Sequence, residues 1–302
     1  MKQRNAARAA ILLLAVSGPA GALTIQFDYS YDSNNFFSDS TRKQILQAAG
    51  NFFASRITDN LGAITSSGGN HFNAKFDDPG TGNPRTIADF SVAEDTLVVY
   101  AGGRDLDGPL GQGGPGGYSA SGNQAFIDSI NRGQGLTQGS GATDFGPWGG
   151  AITFDTSGPN WFFDTSLDTD NDIPNSANDF YSVALHELGH LLGIGTSSSW
   201  GNQISNGTFT GQNAVAEYGS NVPLANTGHW QEGIASTVDG QNQEAAMDPT
   251  LLAGTRKVFT DLDLAGLKDV GWQVQTSPVP LPPAVWLFGS GLAALMGFRR
   301  NA

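Results

Sequence analysis

Residues 186–196 read HELGHLLGIGT. Two histidines stand four apart around a glutamate. On a helix such residues lie one above the other, so His186 and His190 project from one face and can share a metal ion. Glu187 can reach a water on that metal without binding the metal itself. Zinc lowers the pKa of such a water toward about 7 and polarises a carbonyl, while the glutamate passes the proton to a leaving amine. These residue types at this spacing point to zinc-dependent hydrolysis of a peptide bond. The competing reading is an accidental pair of core histidines, but the motif uses two of only four histidines in the chain.

Around the motif, DFYSVALHELGHLLGI (179–194) carries Phe180, Val183, Ala184, Leu188, Leu191 and Leu192 around much of a helical circumference, so a buried helix is expected. Upstream, SDSTRKQILQAAGNFFASRITDNL (38–61) has apolar residues at helical spacing behind Asp39 or Ser40 as N-cap, and predicts a long amphipathic helix. HFNAKF (71–76), DTLVVYAGG (95–103) and GGAITFDTSGPNWFFDTS (149–166) have strand chemistry. TDLDLAGLKDVGW (260–272) predicts a second helix, with a capping-box-like start at Thr260 and Asp263 and an end at Gly271. Residues 102–124 are broken so often by Gly and Pro that no regular element of any length is expected there.

The whole chain sets the limits. Its 302 residues, 39% hydrophobic, suffice for a real core, and 41 glycines, about twice the average share, predict long irregular connections. With no cysteine, neither disulfides nor thiolate ligands are available. The formal charge is −13. Nucleic acid is therefore an excluded class of partner.

Both ends read as export signals. Residues 1–22 have Lys2, Arg4 and Arg8, an apolar run, and small residues Ala20 and Ala22 placed for a signal peptidase, so the mature chain is expected to begin near Leu23. Residues 276–302 hold a Pro-rich linker, an apolar stretch of 15 residues from Ala284 to Phe298, and Arg299 and Arg300. That is short for a membrane span, although the prolines and Trp286 could extend it, and the arginines should stay cytoplasmic. Without the five basic residues of these ends, 10 basic residues face 28 acidic ones, a formal −18.

The tail SPVPLPPAVWLFGSGLAALMGFRRNA resembles the VPLPA variant of the PEP-CTERM sorting signals of Gram-negative bacteria. That resemblance implies transient anchoring in the inner membrane, handling by an exosortase-type machinery, and delivery to the cell surface or beyond. HELGHLLG resembles the metzincin metallopeptidases, whose helix stops at this glycine so that the chain turns and brings a third histidine beneath the metal. The commonest form of the motif would place that histidine at 196, where this chain has Thr196.

Leishmanolysin-like metzincins instead carry an insertion after the glycine and take the third ligand from a distant histidine followed by an aromatic residue. GIGTSSSW (193–200), GTFTGQNAVAEYGSNVPLANTGHWQEG (207–233), EAAMDPTLLAG (244–254) and FTDLDLAGLKDVGW (259–272) are similar to that family in order and spacing. The resemblance implies His229 as third ligand of one catalytic zinc, Met247 as the methionine of a turn beneath it, and an exposed sheet edge in or near 108–118 that binds protein or peptide substrates. Loop closure grows costly only slowly with length, so 39 positions from His190 to His229 are no obstacle. Glu217 and Asp239 are fallback oxygen ligands.

The implied fold is α+β: a metzincin-like zincin with a mixed twisted sheet, a long N-terminal helix, an active-site helix and a loop-rich C-terminal subdomain. Residues 23–275 form the metallopeptidase domain, divided near 194 and 195. The family typically has a pro-segment and disulfides, and the absence of cysteine here excludes thiol-based latency. His71, alone before a strand, reads as a surface or structural residue. Asp168, Asp170 and Asp172 alternate like part of a calcium loop without the full EF-hand spacing, and a solvated acidic loop is the alternative. Two other functional classes remain in view: a surface or matrix protein that keeps fold and zinc for stability, and a zinc enzyme acting on a non-peptide bond.

Overall fold

A computed structural model describes residues 23–167 and 169–275. The expected signal peptide (1–22), the sorting tail (276–302) and Asp168 lie outside the described residues. Within them no helix is long and apolar enough to cross a membrane.

The chain begins with β1 (Thr24–Asp28) and α1 (Ser40–Ala54), followed by β2 (His71–Asp77), β3 (Pro84–Ile87), β4 (Thr96–Arg104), β5 (Gly111–Pro115) and β6 (Gly117–Ser121). Next come α2 (Gln124–Ser129), β7 (Gly149–Asp155), the two-residue β8 (Trp161–Phe162) and β9 (Asn178–Asp179), and α3 (Phe180–Leu191). Past α3 the elements are short: α4 (Ser198–Gly201), β10 (Ile204–Ser205), β11 (Thr208–Phe209), α5 (Gln212–Tyr218), β12 (Val222–Asn226), β13 (His229–Trp230), β14 (Ala235–Val238), β15 (Gln241–Glu244), then α6 (Asp261–Val270).

The architecture is mixed α+β with several sheets. The main sheet runs in the order β1-β4-β7-β5, with β1, β4 and β7 parallel and β5 antiparallel at the edge. A second sheet, β3-β2-β6, is continuous with it through the β5–β6 bend at Gly116. There the backbone lies flat on an indole, and a Cβ on Gly116 would stand 2.0 Å from Trp148. One apolar cluster joins α1, the main sheet, α3 and the C-terminal elements, from Leu23 to Trp272. Around α3 the side chains of Phe180, Leu185, Leu188 and Leu191 are wholly excluded from solvent, so burial all round its circumference holds it in place.

Two expectations are corrected. The helix read over 38–61 spans only Ser40–Ala54, capped by Asp39, whose side chain accepts from the Thr41 N–H. The 102–124 segment contains two five-residue strands, β5 and β6. Glycine weakens strands because it has no side chain to pack, but here the missing side chain is the requirement. A Cβ on Gly111 would lie 2.8 Å from Glu187 Cγ, and one on Gly113 2.5 Å from the Glu187 carbonyl.

Candidate metal centre

Helix α3 starts where Asp179 caps it, accepting from the Ser182 N–H and hydroxyl. Arg256 Nη2 reaches Asp179 at 2.8 Å and Asp164 at 2.9 Å, so a buried guanidinium ties the helix start to two distant loops. The other end stops at Gly193, with φ of 105°, and Gly195, with φ of 77°. At Gly195 the chain passes so close to Gly228 that a Cβ would stand 2.5 Å from its Cα. This contact between two glycine backbones brings the residue after Gly228 to the helix. Thr196, in the position where the short motif would hold a histidine, donates its hydroxyl to the His190 carbonyl at 2.6 Å and closes the helix end.

The structure brings His186, His190 and His229 together. Their Nε2 atoms form a triangle with sides of 3.1, 3.1 and 3.2 Å. Each opposite ring nitrogen has an oxygen partner: His186 Nδ1 with the Ala246 carbonyl at 2.7 Å, His190 Nδ1 with the Ile194 carbonyl at 2.9 Å, and His229 Nδ1 with Asn226 Oδ1 at 3.0 Å. These acceptors place the proton on Nδ1 and leave three Nε2 lone pairs facing one point. Burial, then the neighbouring His190, holds the His186 pKa well below its ordinary value, and burial lowers that of His190. His229 is brought to about 4 by burial and by His190. Near neutrality all three are uncharged.

Three convergent lone pairs repel unless a cation stands between them. A tetrahedral ion with bonds of about 2.0–2.1 Å has ligand–ligand edges of about 3.3–3.4 Å, and the observed edges are close to that. The donor set therefore fits a borderline-soft divalent ion such as zinc.

Glu187 is buried beside the triangle, and burial raises its pKa to about 8 against a hydrogen bond from the Gly113 N–H. Met247 is wholly buried, and a Cβ on Gly189 would stand 2.6 Å from its sulfur, so it packs against α3 between the two helical histidines. His186, Glu187, His190 and His229 line a cavity of about 320 Å³ with Gly111, Gly113, Val183, Asp248, Leu251 and Lys257.

Other residues read from the sequence lie apart. Glu217 accepts from the Ser236 hydroxyl at 2.8 Å, and Asp239 sits in the β14–β15 turn with φ of 50°. His71 is exposed and pairs with Asp89 at 2.6 Å. Asp170 and Asp172 are exposed and belong to no metal-sized cluster among the described residues. A second acidic group, Glu232, Glu244 and Asp248, has the buried Lys257 ammonium among it, 2.7 Å from both Glu244 and Asp248. That group already has its cation.

Two supporting residues leave no usable signal of that role in the sequence. Asn226 orients His229, and an Asn three positions before a histidine is too common a pattern to notice. Asp263 was legible only as a helix cap. In the structure its wholly buried carboxyl also accepts from Trp230 Nε1 at 2.9 Å, the Ala246 N–H at 2.9 Å and the Met247 N–H at 3.2 Å. It thus ties the residue after His229 to the turn whose carbonyl holds His186. No protein-family model matches the chain, and comparison with curated proteins and with solved structures likewise finds no match.

Proposed function

We propose that this chain is an exported zinc endopeptidase of the leishmanolysin-like metzincin type, with His186, His190 and His229 holding one zinc ion and Glu187 as general base. The observation that carries the reading is the triangle of three Nε2 atoms with every Nδ1 bonded to an oxygen acceptor. The antiparallel edge strand β5 across α3, the glycine turn after His190, and Met247 against Gly189 support the metzincin-like topology.

Zinc, when bound, supplies Lewis acidity toward water and the scissile carbonyl. The chain's own residues do the rest. Glu187 takes a proton from the attacking water as its oxygen bonds to the carbonyl carbon, and returns the proton to the amide nitrogen as the C–N bond breaks. Its raised pKa belongs to the ion-free pocket, and a nearby divalent charge draws a carboxyl back into its ionised range.

Strand β5 positions the substrate. Its bonds to β7 include Leu110 C=O and Gly116 N–H, so even-numbered residues face inward and Gly111 and Gly113 turn their backbone groups to the outer edge. No strand among the described residues occupies that edge, and an extended peptide can pair there beside Glu187.

The test is zinc content by elemental analysis beside casein cleavage, on the wild-type chain, His229→Ala and Glu187→Ala. The expected outcome is one zinc per wild-type chain, loss of zinc and activity in His229→Ala, and retained zinc with activity down about 10²–10⁴-fold in Glu187→Ala. Zinc without cleavage in the wild type would favour the non-catalytic matrix protein, and an unaltered His229→Ala would remove the distant ligand. Export, inner-membrane transit and exosortase-type sorting rest on residues 1–22 and 276–302, and are tested by locating a tagged chain with and without the tail.

A further inference from the structure

We infer that a second cavity beside the metal centre is a substrate subsite for one aromatic or large aliphatic side chain of the cleaved peptide, which would make cleavage depend on sequence away from the scissile bond. This inference rests on the peptidase reading above. The cavity, of about 190 Å³, is lined by Ile64, Phe72, Tyr118, Ile130, Phe145 and Trp148, with Pro115 and Gly116 at the strand end and Thr196 to Ser198 opposite. It is smaller than the roughly 300–1,000 Å³ of a typical small-molecule pocket, which suits a single side chain.

Its chemistry selects the occupant. No charged side chain lines it. Most of the polar groups are already bonded within the protein: Thr137 to Asn131, the Thr196 hydroxyl to the His190 carbonyl, Ser197 Oγ to the Trp200 N–H, and Tyr118 Oη to Gln138 Nε2, while Ser198 is exposed. The large side chains facing the space are apolar and aromatic, including Tyr118, which is 39% exposed and stacked on Phe72 with ring centroids 5.2 Å apart. Aromatic partners gain from offset or edge contacts in such surroundings.

Its position connects it to the reaction. Gly113, which contacts Glu187, and Pro115, which borders this cavity, are two residues apart on the same strand and both face the free edge. On a strand two residues span about 6–7 Å and side chains repeat on one face at that interval. A peptide paired along β5 with its scissile bond at Glu187 therefore brings a side chain to the second cavity two to four residues away. The opposite wall is joined to the metal centre through Thr196 and His190.

The test uses the zinc-loaded full chain and peptides of fixed scissile pair in an Ala/Ser background, with one Phe moved along the sequence. The expected result is a kcat/KM at least about tenfold above the all-Ala peptide when Phe lies two to four residues from the cleaved bond, on one side only. Tyr118→Ala and the crowding variant Gln138→Trp should bring the kcat/KM of the Phe peptide down to that of the all-Ala peptide measured on the same variant. Binding to Glu187→Ala, read by tryptophan fluorescence, should show the same tenfold preference without turnover. Cleavage with no Phe preference, or a preference untouched in folded Tyr118→Ala and Gln138→Trp, overturns the subsite. Preferential binding without wild-type cleavage would uphold the subsite and overturn the peptidase reading; neither binding preference nor cleavage overturns both.

Discussion

At the scale of single residues, the histidines are built to be neutral, and that has a sign in the pH dependence of the ion-free chain. His229 has a folded pKa of about 4 against an ordinary 6.5, so unfolding takes up protons below neutrality. Its stability contribution is full above about 6.5 and is lost as pH falls through about 4; His186 and His190, also lowered, act in the same direction. Glu187, raised from 4.5 to about 8, acts oppositely: its contribution is full below about 4.5 and is lost as pH rises through about 8. In the presence of a chelator, the urea midpoint of the wild type relative to Glu187→Gln should therefore fall as pH rises from about 4.5 to about 8, and excess zinc should remove that fall. A difference between the wild type and His229→Gln that stays constant from pH 6.5 to 4 would mean that this imidazole is not held neutral. Asn226 belongs to this scale too. Asn226→Ala removes the acceptor of His229 Nδ1 and should weaken zinc binding about 10–100-fold with little change in the unfolding midpoint of the ion-free protein.

At the scale of elements, strand β5 inverts the usual preference of strands for branched residues. Val raises strand propensity in most settings. At Gly113 a side chain meets the Glu187 backbone, whereas at Gly114 a Cβ would find nothing within 4 Å. Gly113→Val should cost about 1–3 kcal/mol or more by overpacking and displace Glu187, and Gly114→Val should be neutral or mildly stabilising. Equal unfolding midpoints for the two variants would show that β5 does not lie on α3 as described. Helix α3 tolerates no slack either, because its buried start depends on Asp179, which accepts from Ser182 and pairs with Arg256.

At the scale of the whole molecule, the candidate centre joins chain segments that local structure would leave apart. His186 and His190 come from α3, His229 from β13, and Asp263 on α6 holds the neighbourhood of both His229 and Met247. Asp263→Ala strands the Trp230 indole N–H and the Ala246 and Met247 amides in the core. Each buried unsatisfied donor costs about 1–3 kcal/mol, so the variant should be among the most destabilising in the chain and should lose zinc as well. Asp263→Asn, which keeps two acceptor lone pairs, should recover part of the stability. Chelation of the wild type should lower its melting temperature, since zinc at a thousand times its Kd contributes about 4 kcal/mol by mass action. A melting temperature indifferent to both chelator and zinc would argue against a resident ion.

Whatever local patterns control can be read from the chain alone. Period and caps place α1 behind Asp39 and α6 behind Thr260, the apolar circumference marks α3 as buried, and the spacing of His186 and His190 puts two imidazoles on one helical face. It could name His229 only through resemblance, because nothing within a few residues of a distant histidine records where its loop returns. The tertiary structure decided that: the Gly195–Gly228 contact brings the loop back, Asn226 turns the ring, and Asp263 anchors the residue beside it. It also decided that a glycine run unfit for a strand on propensity becomes one, since only a backbone without side chains can lie against Glu187. Local propensity acts through nearest neighbours, whereas ligand convergence and close backbone approach depend on contacts between residues far apart in the chain, and those exist only once it has folded.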